Sequence, residues 1–366
     1  MRVLQICHSY YPPFLDCARQ YAALFNGTQY KVLTVYLTGE PSDEVVQGSA
    51  SDEVIFLGYK SSEVSGLKLG AIAKIKRIVA QEKYLFVIAH RAKPTYVALL
   101  ATNLPVISVH HNYKDYSKFS RRILVNFFQK RLLMLGVSNS VRDDLRLDLK
   151  DWPETRIQTL YNRIDVAATL AVMLDRQEAR QVLNLPQSAW IVGNVGRLHH
   201  DKDQATLIKA FALARPQLPV NSLLFIAGKG SLENELKKLV ISFKLESSII
   251  FAGNVPDAKR YFKAFDVFAL TSDREPFGMV LLEAMAAEIP IICSDCGGGV
   301  EIVRSVGDLF SFGDADALAQ CLVNQAVTPP NLKQSQGQLR LLTLFSDQAA
   351  QQEFWSKPFI KALPHD

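Results

Sequence analysis

The residues best suited to chemistry lie between Asp273 and Gly298, where the chain reads DREPFGMVLLEAMAAEIPIICSDCGG. Glu275 comes first, Pro276-Phe277-Gly278 follows, and Glu283 stands eight residues after Glu275 on an apolar run with helical spacing. A helix beginning near Gly278 would leave Glu275 just ahead of its first turn. It would carry Glu283 about two turns further along roughly the same side. A carboxylate at either place can accept hydrogen bonds from hydroxyl groups. The amides of Gly278, Met279 and Val280 would lie exposed at the positive end of the helix, where a diphosphate is favoured. Two acids so spaced also occur on ordinary solvated helix faces, so their company decides the reading.

That company includes two cations, Arg197 and Lys202, placed five apart after the strand-like run Val192–Val195. A guanidinium fork and an ammonium can neutralise a departing diphosphate without a metal. Taken alone, an Arg-x4-Lys pair is a common surface feature; its place at a strand end gives it meaning. Two other clusters are set aside. Cys293-Ser-Asp-Cys296 has the spacing of a zinc or redox pair, but no second pair accompanies it. His199-His200-Asp201 are consecutive, and consecutive side chains rarely converge on one ion.

The elements that must position these groups are short strands alternating with helical segments. In the first half the strand-like runs are Val3–Cys7, Lys31–Tyr36, Val54–Leu57, Leu85–Ala89, Val106–Val109 and Leu133–Ser138. Segments such as Asp16–Phe25 and Leu67–Gln81 between them have helical spacing. The second half repeats the alternation with Trp190–Val195, Leu223–Ala227, Ile249–Ala252, Val267–Leu270 and Pro290–Cys293. Such alternation predicts parallel sheets with helical crossovers, which bind ligands at the carboxyl ends of their strands. Residues 325–338, rich in Gln, Pro, Ser and Asn, read as a loop, and Phe345–Leu363 reads as helical up to Pro358.

Several of these segments together resemble the retaining glycosyltransferases of family 4, which have the GT-B fold. The Asp273–Gly298 stretch is similar to that family's sugar-nucleotide motif. Val192–Lys202 (VGNVGRLHHDK) resembles its strand followed by Gly-Arg-Leu and a downstream Lys, and Leu223–Gly230 (LLFIAGKG) its next strand and glycine turn. Ile250–Val255 and Phe265–Ser272 match the two strands before the acid motif; Val137–Val141 and Leu160–Asp165 match markers ahead of the second domain. The chain departs from the family pattern in two places. Its first loop, Ser9–Cys17, has no glycine where a Gly-Gly pair is usual, and Arg163 stands where a glycine is common.

The resemblance implies an α/β chain with two doubly wound Rossmann-like domains facing across a cleft. Residues 1–165 would form the acceptor-side domain, with a C-terminal helix within 345–366 packed back on it, and 166–344 the nucleotide-sugar domain. It further implies that Arg197 and Lys202 hold the diphosphate, that Glu275 contacts the donor sugar, and that Glu283 holds the ribose hydroxyls. Phe277, Gly278, Met279 and Val280 would line the donor site, Val255 the base pocket, and His110 would stand beside the donor sugar. No cofactor beyond the UDP- or GDP-sugar substrate and no metal are implied; in particular, a cation held by an Asp-x-Asp pair is not expected. The implied reaction is transfer of a hexose-type sugar to a saccharide or lipid-linked acceptor, in polysaccharide or lipopolysaccharide assembly. A non-catalytic sugar-nucleotide-binding protein on the same fold is the alternative that the glycine-free first loop favours. A GT-B epimerase is a further alternative.

Composition fits this frame. A chain of 366 residues with 48% hydrophobic and 21% charged residues is globular and long enough for two domains. Five scattered cysteines and an N-terminal core strand in place of a leader point to a reducing, cytoplasmic setting. The apolar runs are too short to span a bilayer. Charge is uneven: residues 1–185 hold 24 Lys+Arg against 17 Asp+Glu, whereas the remainder holds 17 against 19. The basic, apolar stretch Lys118–Arg131 (KFSRRILVNFFQKR) and the cluster Lys68, Lys74, Lys76 and Arg77 suit an anionic membrane surface. No basic-aromatic module for nucleic acid is present.

Overall fold

The computed structural model describes residues 1–328 and 332–363. They divide into two compact units: Met1–Arg163 with the residues from Asp347 on, and Ile164–Ser346.

The first unit is built on seven parallel strands: β1 (Arg2–Cys7), β2 (Lys31–Thr38), β3 (Glu53–Tyr59), β4 (Tyr84–His90), β5 (Val106–His110), β6 (Leu132–Gly136) and β7 (Ile157–Thr159). Their order across the sheet is β3-β2-β1-β4-β5-β6-β7. The second unit has six: β8 (Ile191–Val195), β9 (Leu223–Ala227), β10 (Ile249–Gly253), β11 (Val267–Leu270), β12 (Ile291–Ser294) and β13 (Asp308–Phe310), in the order β10-β9-β8-β11-β12-β13. The central strands are near-continuous apolar runs because helices cover both faces of each sheet. In β4 (YLFVIAH) every residue is buried. Both sheets reverse their winding once, between β1 and β4 and between β8 and β11, so both carry a switch point at their carboxyl edge.

Each unit has its own core. Leu4, Ile6, Val35, Val87, Val97 and Met134 pack in the first, and Val192, Leu207, Phe211, Ile226 and Val267 in the second. Helix starts are fixed by short polar side chains that accept from the first-turn amides: Ser138 from Val141, Asp165 from Ala168, Asp203 from Thr206 and Asp314 from Ala317.

One sequence expectation needs correction, and two strands are not foreseen. Residues 325–338 are not a loop: the helix Ala315–Val327 runs into them, and Leu332–Leu344 is a second helix, while 329–331 lie outside the described residues. The strands β7 and β13 have no long apolar run to betray them; each is three residues long and only part-buried.

Arg163, at the family's glycine position, has a structural task. Its side chain is fully buried, its Nε donates to Asp347 Oδ1 at 3.2 Å, and its backbone N–H donates to Gln20 Oε1 at 3.0 Å. Arg19 reaches the other carboxylate oxygen of Asp347 at 2.9 Å. This knot pins the start of the helix Asp347–Ser356. That helix then buries Phe354 against Phe25 and Phe86 and stacks Trp355 on Tyr30 at 5.4 Å. Without the long side chain, the returning segment would lose its charged anchor.

Candidate functional site

The candidate site of the second unit is assembled by loops at the carboxyl ends of its strands, and backbone contacts lock those loops together. The loop after β8 passes through Gly196 and Arg197 to a short 3-10 turn at His200–Lys202 and the helix Gln204–Ala214. Gly196 N–H donates to Ala227 O at 2.9 Å, and Leu198 N–H to Lys229 O at 3.1 Å. Gly228 N–H in turn donates to Gly253 O at 2.6 Å, tying the end of β10 into the same cluster. Glycine is required at 228, where φ is +141° and an added Cβ would sit 1.8 Å from Gly196 O.

This framework sets Lys202 against Glu275. The ammonium donates to Glu275 Oε2 at 2.6 Å, with the two side chains only 18% and 11% exposed. Glu275 also accepts from Ser272 Oγ at 3.3 Å. The backbone on both sides is held: Thr271 Oγ1 donates to Lys202 O at 2.8 Å, and Gly298 N–H to Glu275 O at 2.7 Å. A Cβ at Gly298 would meet Pro276 O at 2.4 Å, so the glycines after Cys296 let the acid loop sit directly on them.

Gly278 closes the acid loop with φ +103° and caps the helix Met279–Ala286. Phe277 is buried in edge contact with Phe345, while Met279 and Val280 are part-exposed at the helix start. Glu283 lies on the same helix, part-buried. Arg197 differs from Lys202: its side chain is 73% exposed and touches Asp201 at 3.6 Å, so the guanidinium stands in solvent. Val255 follows β10 in a part-buried loop. Arg197, Lys202, Val255, Glu275, Phe277, Gly278, Met279, Val280 and Glu283 therefore all belong to one unit.

His110 belongs to the other. It ends β5, is fully buried, and has both ring nitrogens engaged: Nδ1 with Asp115 Oδ2 at 2.7 Å and Nε2 with Ser108 Oγ at 2.7 Å. Burial works against the Asp115 carboxylate, yet the hydrogen bond with His110 and the nearby Arg91 and Arg121 keep its pKa below the usual value. His111 turns the other way, to stack on His90 with 3.1 Å between ring nitrogens. Burial, then the neighbouring His110, pushes His111 down to about 3, so its ring is neutral at physiological pH.

The sequence does contain Asp-x-Asp spacings, at Asp201-Lys202-Asp203 and Asp314-Ala315-Asp316. Their geometry gives them other work. Asp203 and Asp314 start helices, and Asp201 is engaged with His199 and Arg197. Among the described residues, no group of three or more His, Cys, Asp or Glu side chains is arranged to hold a metal. Cys293 and Cys296 are free thiols, and burial, then Glu275, raises the pKa of Cys293.

Two parallel sheets of seven and six strands define the GT-B class of protein. Residues 14–168 match Glycosyltransferase Family 4 and residues 175–338 match Glycosyl transferases group 1, and the chain belongs to these glycosyltransferases. An uncharacterized glycosyltransferase of Methanocaldococcus jannaschii is 30% identical over 176 residues, covering 47% of this chain and 44% of the relative. A Campylobacter jejuni N-acetylgalactosaminyltransferase acting on an undecaprenol-linked diphospho-saccharide is 28% identical over 57% of this chain and 56% of its own length. The chain thus spans about half the length of these curated relatives. A glycosyltransferase structure from Rickettsia africae shares the fold, with TM-score 0.81, 17% identity and 99% coverage of both chains. So does the Anabaena HepE structure in complex with UDP, with TM-score 0.79, 21% identity and coverage of 97% and 98%.

The backbone locking has a direct test. Gly228→Ala is expected to destabilise the second unit by about 2–4 kcal/mol, through positive φ and the clash with Gly196 O. Gly196→Ala, whose Cβ would meet only Lys202 Cδ at 4.0 Å, should cost less than half as much. Urea unfolding of the two variants measures the difference; equal effects would contradict the locking.

Proposed function

We propose that this chain is a metal-independent, retaining glycosyltransferase that moves a hexose-type sugar from UDP or GDP to a saccharide or lipid-linked acceptor. The observation that carries the reading is the part-buried Lys202–Glu275 pair beside the Met279–Ala286 helix start. The ammonium is a counter-charge for a diphosphate, and the carboxylate is an acceptor for sugar hydroxyls, held within one hydrogen bond of each other. Arg197 supplies a second, exposed cation, and Glu283 the acid for the ribose hydroxyls.

In this reading the bond from the sugar's anomeric carbon to the diphosphate oxygen breaks while the acceptor oxygen bonds that carbon on the same face. The acceptor's proton passes to the departing diphosphate oxygen, so no enzymatic nucleophile is needed and the two-carboxylate scheme of glycosidases does not apply. Lys202 and Arg197 stabilise the charge that develops on the leaving group, the kind of contribution that dominates many transferases. The names of relatives support the setting: HepE was seen with UDP-glucose, and lipopolysaccharide core transferases of Rhizobium species match part of this chain. They favour cell-surface polysaccharide or lipopolysaccharide assembly.

Lys202→Ala and Arg197→Ala are each expected to lower kcat/KM at least about 100-fold, roughly 2.7 kcal/mol of transition-state stabilisation, in a folded protein. Radiolabelled sugar transfer from UDP- and GDP-hexoses provides the measurement; near-normal turnover in both variants would defeat the assignment.

The first unit also suits a lipid-linked acceptor. On the helix Phe119–Phe127, Phe119, Ile123 and Phe127 are 70%, 54% and 81% exposed at four-residue spacing, flanked by Lys118, Arg122 and Lys130. Such an apolar stripe with a basic border lies comfortably at an anionic interface. Among the described residues no helix is long and apolar enough to cross a membrane. Sedimentation with phosphatidylglycerol vesicles should show binding at low salt, weakened by high salt and by Phe127→Asp. No binding at low salt would remove the membrane surface from the account.

A further inference from the structure

The first sheet has a switch point of its own, between β1 and β4, and the side chains gathered there are cationic. His8 follows β1 and Arg91 follows β4. Arg91 N–H donates to Val109 O at 2.7 Å, which pins its backbone to β5. Its φ of +74° is a conformation that a non-glycine residue takes at a cost and only where its surroundings enforce it. Lys93 lies in the first turn of the following helix, Ala92–Ala101, and Lys68 Nζ stands 4.3 Å from the ring centre of Tyr96 on that helix. Arg121 comes in from beyond β5, where its Nη1 donates to Asp115 O at 2.7 Å.

Four cations from three segments of chain thus lie near the ends of β4 and β5, on the strand that pairs with β1 and its neighbour. Among the described residues, none of Lys68, Arg91, Lys93 and Arg121 forms an ion pair. Asp115 shares their field, but its Oδ2 is taken by His110. The cations act on one another and on His8. Burial, then Lys93 and Arg91, pushes His8 down to about 4, and burial, then Lys93 and Arg121, lowers Lys68. His8 Nδ1 is buried with no hydrogen-bond partner, although its backbone is fixed by Thr38, whose N–H and Oγ1 donate to His8 O at 2.9 and 2.8 Å. A folded chain that gathers like charges around an unsatisfied nitrogen is prepared for a negative guest.

We infer that His8, Lys68, Arg91, Lys93 and Arg121 form a binding site for the phosphoryl group of the acceptor, as a phosphate ester or a diphosphate. The word acceptor rests on the proposed transferase reading; the anion site itself does not. Both a phosphorylated saccharide and a lipid diphosphate carry the recognised group.

The test is a titration of inorganic pyrophosphate into the full chain carrying Lys202→Ala, which disables the cation of the second unit. Ring resonances of His8 are followed by NMR and assigned with His8→Asn. A saturable shift at His8 is expected, with at least 10-fold weaker binding after Lys93→Ala and binding retained in Lys93→Arg. Lys93 is part-exposed, so its removal leaves the core intact. A silent His8, or equal affinity after Lys93→Ala, would overturn the site. Farnesyl diphosphate in micelles and a hexose 6-phosphate are the two further arms. Tighter binding of the first assigns the anion to a lipid carrier, and of the second to a soluble saccharide. Pyrophosphate bound at His8, with no sugar transfer by the chain that retains Lys202 from any donor, would sink the transferase reading alone. Normal transfer with a silent His8 would sink this site alone.

Discussion

The second unit turns on one part-buried ion pair, Lys202 with Glu275. Two charges that are mostly withdrawn from water lose hydration worth several kcal/mol each, and their attraction offsets that loss only in well-fixed geometry. The structure supplies the fixing from every side. Thr271 holds the lysine backbone, Ser272 and Gly298 hold the glutamate, and glycines at 228 and 298 allow neighbouring loops to approach without an intervening Cβ. A pair maintained at such expense is poor evidence for stability and better evidence for a site that exchanges one partner for a ligand. An arriving diphosphate would share the ammonium, and sugar hydroxyls would donate to the carboxylate.

The two units use the same architecture with different charge. Each sheet winds outward from a single reversal, and in each the loops at that reversal carry the ionisable groups. In the second unit a cation and an anion neutralise each other; in the first, cations gather with little opposing charge. On the proposed reading, recognition would divide between a paired site for a sugar and its diphosphate and a basic site for an anion. The basic first half of the chain, visible as a simple charge count, has this local concentration as one of its causes.

Much of this was legible in the sequence because parallel strands buried on both faces leave continuous apolar runs, and loops at their ends carry the polar residues. Eleven of the strands announce themselves in this way. The acid loop was readable too, since Glu275, Phe277, Gly278 and Glu283 keep their spacing whatever the surroundings. What stayed hidden depends on distant partners. Arg163 looks like a misplaced glycine until Asp347 arrives from more than 180 residues away. The cation cluster joins residues 8, 68, 91, 93 and 121, which share no motif. The Asp-x-Asp spacings are visible in the sequence but draw their meaning from helix caps. His110 is visible in the sequence as a strand-end histidine, but its partners Ser108 and Asp115 emerge only from the fold.

The most direct test of the central claim is thermal unfolding of the protein with UDP, GDP, ADP, CMP and dTDP, each compared with the Lys202→Ala variant. A nucleotide at about 100 times its Kd adds roughly 2.7 kcal/mol to the state that binds it. The account predicts stabilisation by one nucleoside diphosphate, UDP or GDP, that disappears in the variant. Absence of any shift, or a shift that survives the loss of Lys202, would contradict the claim that the Lys202–Glu275 pair is a donor site.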